Sequence, residues 1–491
     1  VHDLRQFLDR LALHGQLLSF DTPIDPELES TALSLHALKT QGPALLMRKS
    51  VGSEHATLGN LFGHRRRIEL ALGDRPLASL RELGELLAEL KEPRWPSSLR
   101  DALEAWPGLA QLKHVAPRRV LEAAFTDNVA RGGDVDLSRF PIQRCWPEDA
   151  GRLITLGMVV TRGPQQARQN VAIYRQQVIG PNRLIMRWLP HRGGAQDYRA
   201  WCAAHPGEPF PVLVAIGADP ATLLAAVAPV PDTLSEHEFA GLLRGARSWL
   251  WRSHLTGLDA PAGAEIVLEG FIYPGDTAEE GPFGDHTGYY NAREHFPVFT
   301  VERMQWRHQA IYHGSYMGRA PLDEPSVMAA ALNEVYVPIL RKVFPELVDF
   351  HLPPHACSYR VAVVSIRKQY AGHARRMMMA VWSYLRQFTY TKFVIVVDED
   401  IDVRDMGQVL WAVSTRVDPV RDAMLVENTP IDYLDFASPQ PGLGSKLGLD
   451  ATCKWPGETT REWGRLIVPD AQLQRRVEAL WETLAPDLRA G

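Results

Sequence analysis

Asn170-Val171-Ala172-Ile173-Tyr174-Arg175-Gln176-Gln177-Val178-Ile179-Gly180-Pro181-Asn182-Arg183-Leu184-Ile185-Met186-Arg187-Trp188-Leu189 is the stretch that decides the fold class. Two strand-like runs, 170–179 and 183–189, flank Gly-Pro-Asn, which is hairpin-turn chemistry. Further strands are expected at 153–162, 210–216, 264–273, 296–301 and 311–313. Short strands with Gly/Pro turns predict a barrel or sandwich in the middle of the chain. Helices at 221–228 and 235–244 interrupt it.

On the N-terminal side helices dominate. Asp3 can cap a helix with Leu4, Phe7, Leu8 and Leu11 on one face, and Gly15 can end it. A second helix is expected after Asp25-Pro26, with proline in its first turn. A third covers 77–90 and ends before Glu92-Pro93. On the C-terminal side a valine-rich strand at 359–366, a helix at 372–388 and Phe393-Val394-Ile395-Val396-Val397 form a βαβ unit with buried parallel strands. A helix at 404–415 and a strand at 423–426 extend it. A long helix at 324–343, kinked at Pro338, bridges the middle and last parts. Segment 471–484 is amphipathic. Pro441-Gly442-Leu443-Gly444-Ser445-Lys446-Leu447-Gly448 lacks both the P-loop and the dinucleotide pattern, and reads as a lid or a long surface loop. Met377-Met378-Met379 reads as core filler.

The chain has 491 residues, more than one core of roughly 250–300 residues accommodates. The expected class is α/β, or α+β multidomain. The expected domains are an α/β domain at 1–115, a strand-rich domain at 116–318, and a C-terminal α/β domain at 319–491 that includes the linking and terminal helices. A formal net charge of −5 argues against a nucleic-acid partner. The four cysteines, Cys145, Cys202, Cys357 and Cys453, lack zinc-ligand spacing. They suit a reducing cytoplasm. No apolar run reaches the ~18–20 residues of a membrane span, and the opening Val1-His2-Asp3-Leu4-Arg5 does not read as a signal peptide.

Three stretches set polar groups inside apolar sequence. In the first two, Arg175, Arg187 and Arg192 supply planar cations suited to phosphate, and Gly193-Gly194 allows close backbone approach. Asn170 and His191 can ligate a hard or borderline cation such as Mn²⁺ or Mg²⁺, with Glu236 as an acidic third ligand. Each also has a plainer reading. Arg and Trp on a hairpin are commoner as surface and packing residues. Thr233-x-x-Glu236 and Ser235-x-x-Glu238 both match capping boxes. The third stretch is Glu280-Gly281-Pro282-Phe283-Gly284-Asp285-His286-Thr287-Gly288-Tyr289-Tyr290. Two neighbouring carboxylates push one pKa upward, towards a proton donor near neutral pH, while an arginine such as Arg175 holds the other ionised. A solvated Gly/Asp turn is the alternative.

The stretches from Asn170 to Gln177, Met186 to Gly194 and Glu280 to Tyr290 resemble signatures of the UbiD family. Asn428-Thr429-Pro430-Ile431-Asp432-Tyr433-Leu434-Asp435-Phe436 and Lys454-Trp455-Pro456-Gly457-Glu458-Thr459 are similar to further ones, so the likeness runs from about residue 3 to residue 485. It is nearest to the branch of the family in bacterial ubiquinone biosynthesis.

The resemblance implies three parts: an N-terminal α/β domain, a flavin-reductase-like split β-barrel and a C-terminal α/β domain. It implies prenylated FMN, supplied by a partner flavin prenyltransferase, and Mn²⁺, with K⁺ as a further candidate. Asn170, His191 and Glu236 would hold the metal against the cofactor phosphate. Ile173, Tyr174, Arg175, Arg187, Trp188, Leu189, Arg192 and Gly193 would contact the cofactor. Asp285 would be the proton donor, with Glu280 and Arg175 completing a catalytic trio.

The implied reaction is decarboxylation of 3-polyprenyl-4-hydroxybenzoate by a homo-oligomer, dimer to hexamer, in the cytoplasm with peripheral contact at the inner membrane. The rival readings are a reversible decarboxylase of a small aromatic acid and a non-catalytic flavin-binding scaffold. One departure is Cys453, where the family pattern has asparagine before Lys454-Trp455-Pro456; it bears on local packing.

Overall fold

The computed structural model describes residues 1–91, 112–228, 230, 234–384, 386–468 and 470–484. Glu92-Pro93 and Thr233 lie outside the described residues.

The first helix, Leu4–Leu13, starts where Asp3 accepts a hydrogen bond from the Gln6 amide. Its apolar face, Leu4, Phe7, Leu8 and Leu11, is buried. Each such side chain contributes about 1.5–3 kcal/mol as an upper bound. The second helix, Glu29–Lys39, begins beyond Pro26, so that proline is not in its first turn. A four-stranded sheet, Leu17–Phe20, Ala44–Met47, Ala56–Gly59 and Ile311–His313 in that order, backs these helices. The last strand corrects the sequence reading. Ile311–His313 pairs in parallel with Ala56–Gly59 rather than with the middle strands.

The middle of the chain forms a nine-stranded sheet. Its path runs Leu153–Ile154, Gln176–Gly180, Arg183–Met186, Glu294–Trp306, Ile266–Glu280, Phe210–Ile216, Met158–Thr161, Asn170–Ile173, with Asn128–Arg131 paired to Glu294–Trp306. The named pairings are antiparallel, and no pairing closes the path among the described residues. The expected single strand at 170–179 is broken. Asn170–Ile173 pairs with Met158–Thr161, whereas Gln176–Gly180 pairs with Arg183–Met186 and Leu153–Ile154. The break falls at Tyr174-Arg175, which frees Arg175 from the ladder and lets its guanidinium reach the loop after Ile266–Glu280.

The C-terminal sheet has the order Leu347–His351, Val361–Ile366, Phe393–Asp398, Leu443–Ala451, Ala423–Pro430. Its three inner strands are parallel, as the βαβ reading requires. The presumed lid is in fact one of them. Leu443–Ala451 is a central strand, because its glycines let a helix lie close above it: a Cβ on Gly448 would come within 2.3 Å of Met378 Sδ. Met377 and Met378 are buried in this core while Met379 is exposed.

Helix Glu324–Val343 runs through Pro338 and packs on both flanking units. Gly84 admits its backbone on the N-terminal side, and the partly buried Arg81–Glu334–Arg404–Asp349 ion network joins it to the C-terminal side.

Candidate active site

The strand break, the loop after Ile266–Glu280 and the start of helix Glu324–Val343 enclose a cavity of about 520 Å³. Ten of the residues singled out in the sequence line it: Asn170, Ile173, Tyr174, Arg175, Arg187, Leu189, Arg192, Gly193, Glu236 and Asp285. Three do not. Glu280 is fully buried behind Arg175 and Arg187. Trp188 faces the sheet interior against Tyr174 and Phe210. His191 packs its ring against Tyr390 at 5.3 Å.

Arg175 organises the charged end. Its Nε donates to Glu280 Oε1 at 2.8 Å, its Nη1 to Asp285 Oδ2 at 2.6 Å and its Nη2 to Asn291 Oδ1 at 2.8 Å. Arg187 Nη1 donates to the other Glu280 oxygen at 2.7 Å. Two guanidiniums therefore share one buried carboxylate, whose two oxygens accept three charge-assisted hydrogen bonds between them. The loop itself is pinned: Gly281 N donates to Gln177 Oε1 and Gly284 N to Asp149 Oδ1, each at 2.9 Å, and Phe283 N donates to Asn291 Oδ1.

The electrostatics of Asp285 differ from the sequence expectation. Burial alone would push its carboxyl up, but Arg175 and His286 outweigh burial and hold it well below the usual carboxylate range. Glu280 does not push Asp285 up, because the Arg175 guanidinium lies between the two. The resting group is an anion.

His286 Nδ1 stands 2.7 Å from Asp285 Oδ1, and its Nε2 3.7 Å from Asp432 Oδ2. Burial would lower the imidazole, yet these two carboxylates raise it to about 9. Asp432 is in turn held down to about 2 against the pull of burial, by His286, the Leu434 amide and Arg360.

The other end is a cradle for an anion. Gly193–Ala204 is a helix of 12 residues whose N-cap, Arg192, supplies no side-chain cap and whose Gly194 amide donates to the Tyr174 hydroxyl at 3.0 Å; the positive end of its macrodipole lies at the cavity wall that Arg192 and Gly193 form. A Cβ on Gly193 would come within 2.2 Å of Asn170 Oδ1, so only glycine permits this approach. Glu236 lies at the start of helix Glu236–Arg244 and accepts from the Val171 amide at 3.1 Å. Burial, only partly offset by that contact and its own amide, pushes its carboxyl up. A cation beside it would offset the buried charge. Asn170 and Glu236 offer oxygen ligands of the kind Mn²⁺ or Mg²⁺ takes, and the cradle fits a phosphate held through such an ion.

His286, Asn291, Asp432 and Tyr433 belong to the site but carried no assigned role in the sequence. His286 directly follows the acid, which is a local signal. Asp432 gives none, since its approach to His286 spans 146 positions.

Three family models match successive parts of the chain. The 3-octaprenyl-4-hydroxybenzoate carboxy-lyase N-terminal domain covers residues 8–87, the Rift-related domain 118–320 and the C-terminal domain 326–451. Along the whole chain, the UbiD-class enzyme HmfF from Pelotomaculum thermopropionicum, in complex with FMN, is 30% identical over 97% of this chain and 100% of its own, with a TM-score of 0.80. The chain belongs to the UbiD family.

Other members of the UbiD family give the same picture. Sedimentibacter hydroxybenzoicus vanillic acid decarboxylase in closed form is 28% identical over 99% of both chains, with a TM-score of 0.84. An evolved dimeric form of HmfF in complex with prFMN is 28% identical over 96% of this chain and 98% of its own, with a TM-score of 0.77. The mixed α/β, multidomain class expected from the sequence is the one these relatives share.

Proposed function

We propose that this UbiD-family protein is a carboxy-lyase that uses prenylated FMN to decarboxylate 3-polyprenyl-4-hydroxybenzoate to the 2-polyprenylphenol, as in ubiquinone biosynthesis. The observation that carries the reading is the buried Arg175–Glu280–Asp285 cluster at one end of a cavity whose other end is a phosphate cradle. Relatives bind FMN or prFMN. When bound, the flavin supplies the electron sink that an aryl carbanion needs and that side chains lack.

The protein's own residues supply the rest. Arg192, Gly193 and the helix start they open hold the phosphate. Asn170 and Glu236, with His191 as third ligand, would hold Mn²⁺, whose charge would offset that of the phosphate and the buried Glu236 carboxylate, and K⁺ is a second cation candidate. Ile173, Tyr174, Arg187 and Leu189 frame the ring system, with Trp188 packed behind Tyr174. Arg175 orients the substrate carboxylate. Asp285 delivers a proton to the ring carbon that loses CO₂, and Glu280 keeps Arg175 in place.

An apolar wall of Leu156, Ala226, Val227, Ala228, Met328 and Leu332 suits a prenyl tail. A second reading, a small hydroxyaromatic acid as substrate, is favoured by the likeness to the vanillic acid decarboxylase. Rates of CO₂ release from 3-prenyl-4-hydroxybenzoate and from 4-hydroxybenzoate, on protein co-produced with a flavin prenyltransferase, separate the two. Faster turnover of the prenylated acid supports the first reading, and the reverse order supports the second. No release from either speaks against both and returns the flavin-binding scaffold.

Helix Ala471–Leu484 leaves Leu473, Val477, Leu480, Trp481 and Leu484 exposed. Such a stripe suits burial against another subunit, so a homo-oligomer of dimer to hexamer size is proposed, with peripheral membrane contact as the alternative. Among the described residues no helix is long and apolar enough to cross a membrane. Light scattering for the mass, and flotation with liposomes for the membrane, decide between them.

A further inference from the structure

Two adjacent residues of the C-terminal unit reach the charge cluster. Asp432 faces His286 Nε2 at 3.7 Å, and the Tyr433 hydroxyl accepts from Arg187 Nη2 at 3.0 Å. One loop thus touches both limbs of the cluster, His286–Asp285 and Arg187–Glu280. Asp432 is buried and fixed in its turn: it accepts from Tyr359 Oη at 3.2 Å, Arg360 Nη2 at 3.1 Å and the Leu434 amide at 3.0 Å.

Proton balance gives this carboxylate a task. Replacing an aryl carboxylate by hydrogen releases CO₂ and consumes one proton per turnover. Asp285 is ionised at rest, so it must be loaded in every cycle. The nearest group able to load it is His286, whose Nδ1 lies 2.7 Å from Asp285 Oδ1. An imidazole carries a proton on Nδ1 and Nε2 together only where both find acceptors or anions.

We propose that Asp432 is a positioning residue for proton delivery: it seats and charges His286 so that His286 reloads Asp285. The Nδ1 proton passes to Asp285 Oδ1, Asp285 passes a proton to the ring carbon, and solvent returns one to His286. The proposal rests on Asp285 being the acid of the reaction above. Because Asp432 belongs to the C-terminal unit, loading requires that unit to be seated on the central sheet. The charged and titratable groups around His286 are Asp285 with Arg175 behind it, Asp323 at the start of helix Glu324–Val343, and Asp432 with Arg360, Tyr359 and Cys357. The carboxylates nearest the imidazole favour its charged form.

The test is a ¹⁵N-histidine NMR titration of the full chain, with His286→Gln assigning the resonance, alongside kcat and KM against pH for 3-prenyl-4-hydroxybenzoate and 4-hydroxybenzoate. Asp432→Asn should lower the His286 midpoint by about one pH unit or more. It should cut kcat about tenfold or more with KM held, and move the alkaline limb to lower pH. Asp432→Glu should restore part of both. An unmoved midpoint, or a loss of kcat equal at every pH, overturns the proposal. A parent enzyme with no turnover on either acid refutes the decarboxylase reading instead, and the midpoint still decides whether Asp432 charges His286.

Discussion

Asp285 is bonded at 2.6 Å to the guanidinium of Arg175, so the residue placed to give a proton rests as a salt-bridged anion. The pair keeps the acid in register with the cavity. A substrate carboxylate that takes over part of Arg175 would raise the affinity of Asp285 for a proton when one is needed.

Replacing Asp285 by asparagine keeps the shape and removes the transferable proton. Turnover should fall by about 10²–10⁴-fold, while flavin content measured by absorbance stays at the parent level. An Asp285→Asn enzyme that releases CO₂ at the parent rate would remove Asp285 from the mechanism.

Arg175→Ala removes a guanidinium from two buried carboxylates at once, leaving Glu280 with Arg187 and Asp285 with His286. The expected loss of stability is about 3–5 kcal/mol, as for other broken buried ion pairs, read as a lower midpoint in urea. Arg175→Lys keeps the charge but loses the two-pronged geometry with Glu280, and should fall between parent and alanine.

The raised pKa of His286 has a consequence for stability. A group whose folded pKa lies above its unfolded value of 6.5 stabilises fully below 6.5, and that contribution is lost as pH rises through about 9. The parent should therefore lose stability between about pH 6.5 and 9, and His286→Gln should flatten that part of the profile. Thermal midpoints across this range provide the check; identical slopes for the two proteins would argue against a charged His286.

Gly193→Ala would drive a methyl group into Asn170 Oδ1, from which its Cβ would be 2.2 Å away. Asn170 or the helix start has to shift, so the purified variant should carry less metal and less flavin, by elemental analysis and absorbance, at little cost to the fold. Full loading of the variant would show that the cradle does not hold the phosphate.

Much of the fold was legible because its signals are local. Asp3 caps the first helix through Gln6, the valine runs at Val361–Ile366 and Phe393–Asp398 mark buried parallel strands, and Ser235 with Glu238 forms the anticipated capping box. The misreadings are tertiary in origin. Ile311–His313 has strand composition, but composition does not name its partner, which lies some 250 positions upstream in Ala56–Gly59. The glycines of Leu443–Ala451 imitate a loop, yet they make room for Met378 and its helix. The 170–179 run hides a strand break because no glycine or proline marks it, and only the reach of Arg175 explains the change of direction.

The site divides in the same way. Ten of the residues singled out share one cavity wall because their motifs lie on neighbouring strands and on the loops those strands present. The protonation of that site was not legible, since it depends on distances: Arg175 between two carboxylates, and Asp432 arriving from the C-terminal unit to face His286.

Native mass spectrometry with an absorbance spectrum, on protein co-produced with a flavin prenyltransferase, tests the central claim most directly. The account requires a bound species heavier than FMN by one dimethylallyl unit, accompanied by a divalent metal. Ordinary FMN alone, or no flavin, in the presence of an active prenyltransferase would contradict it.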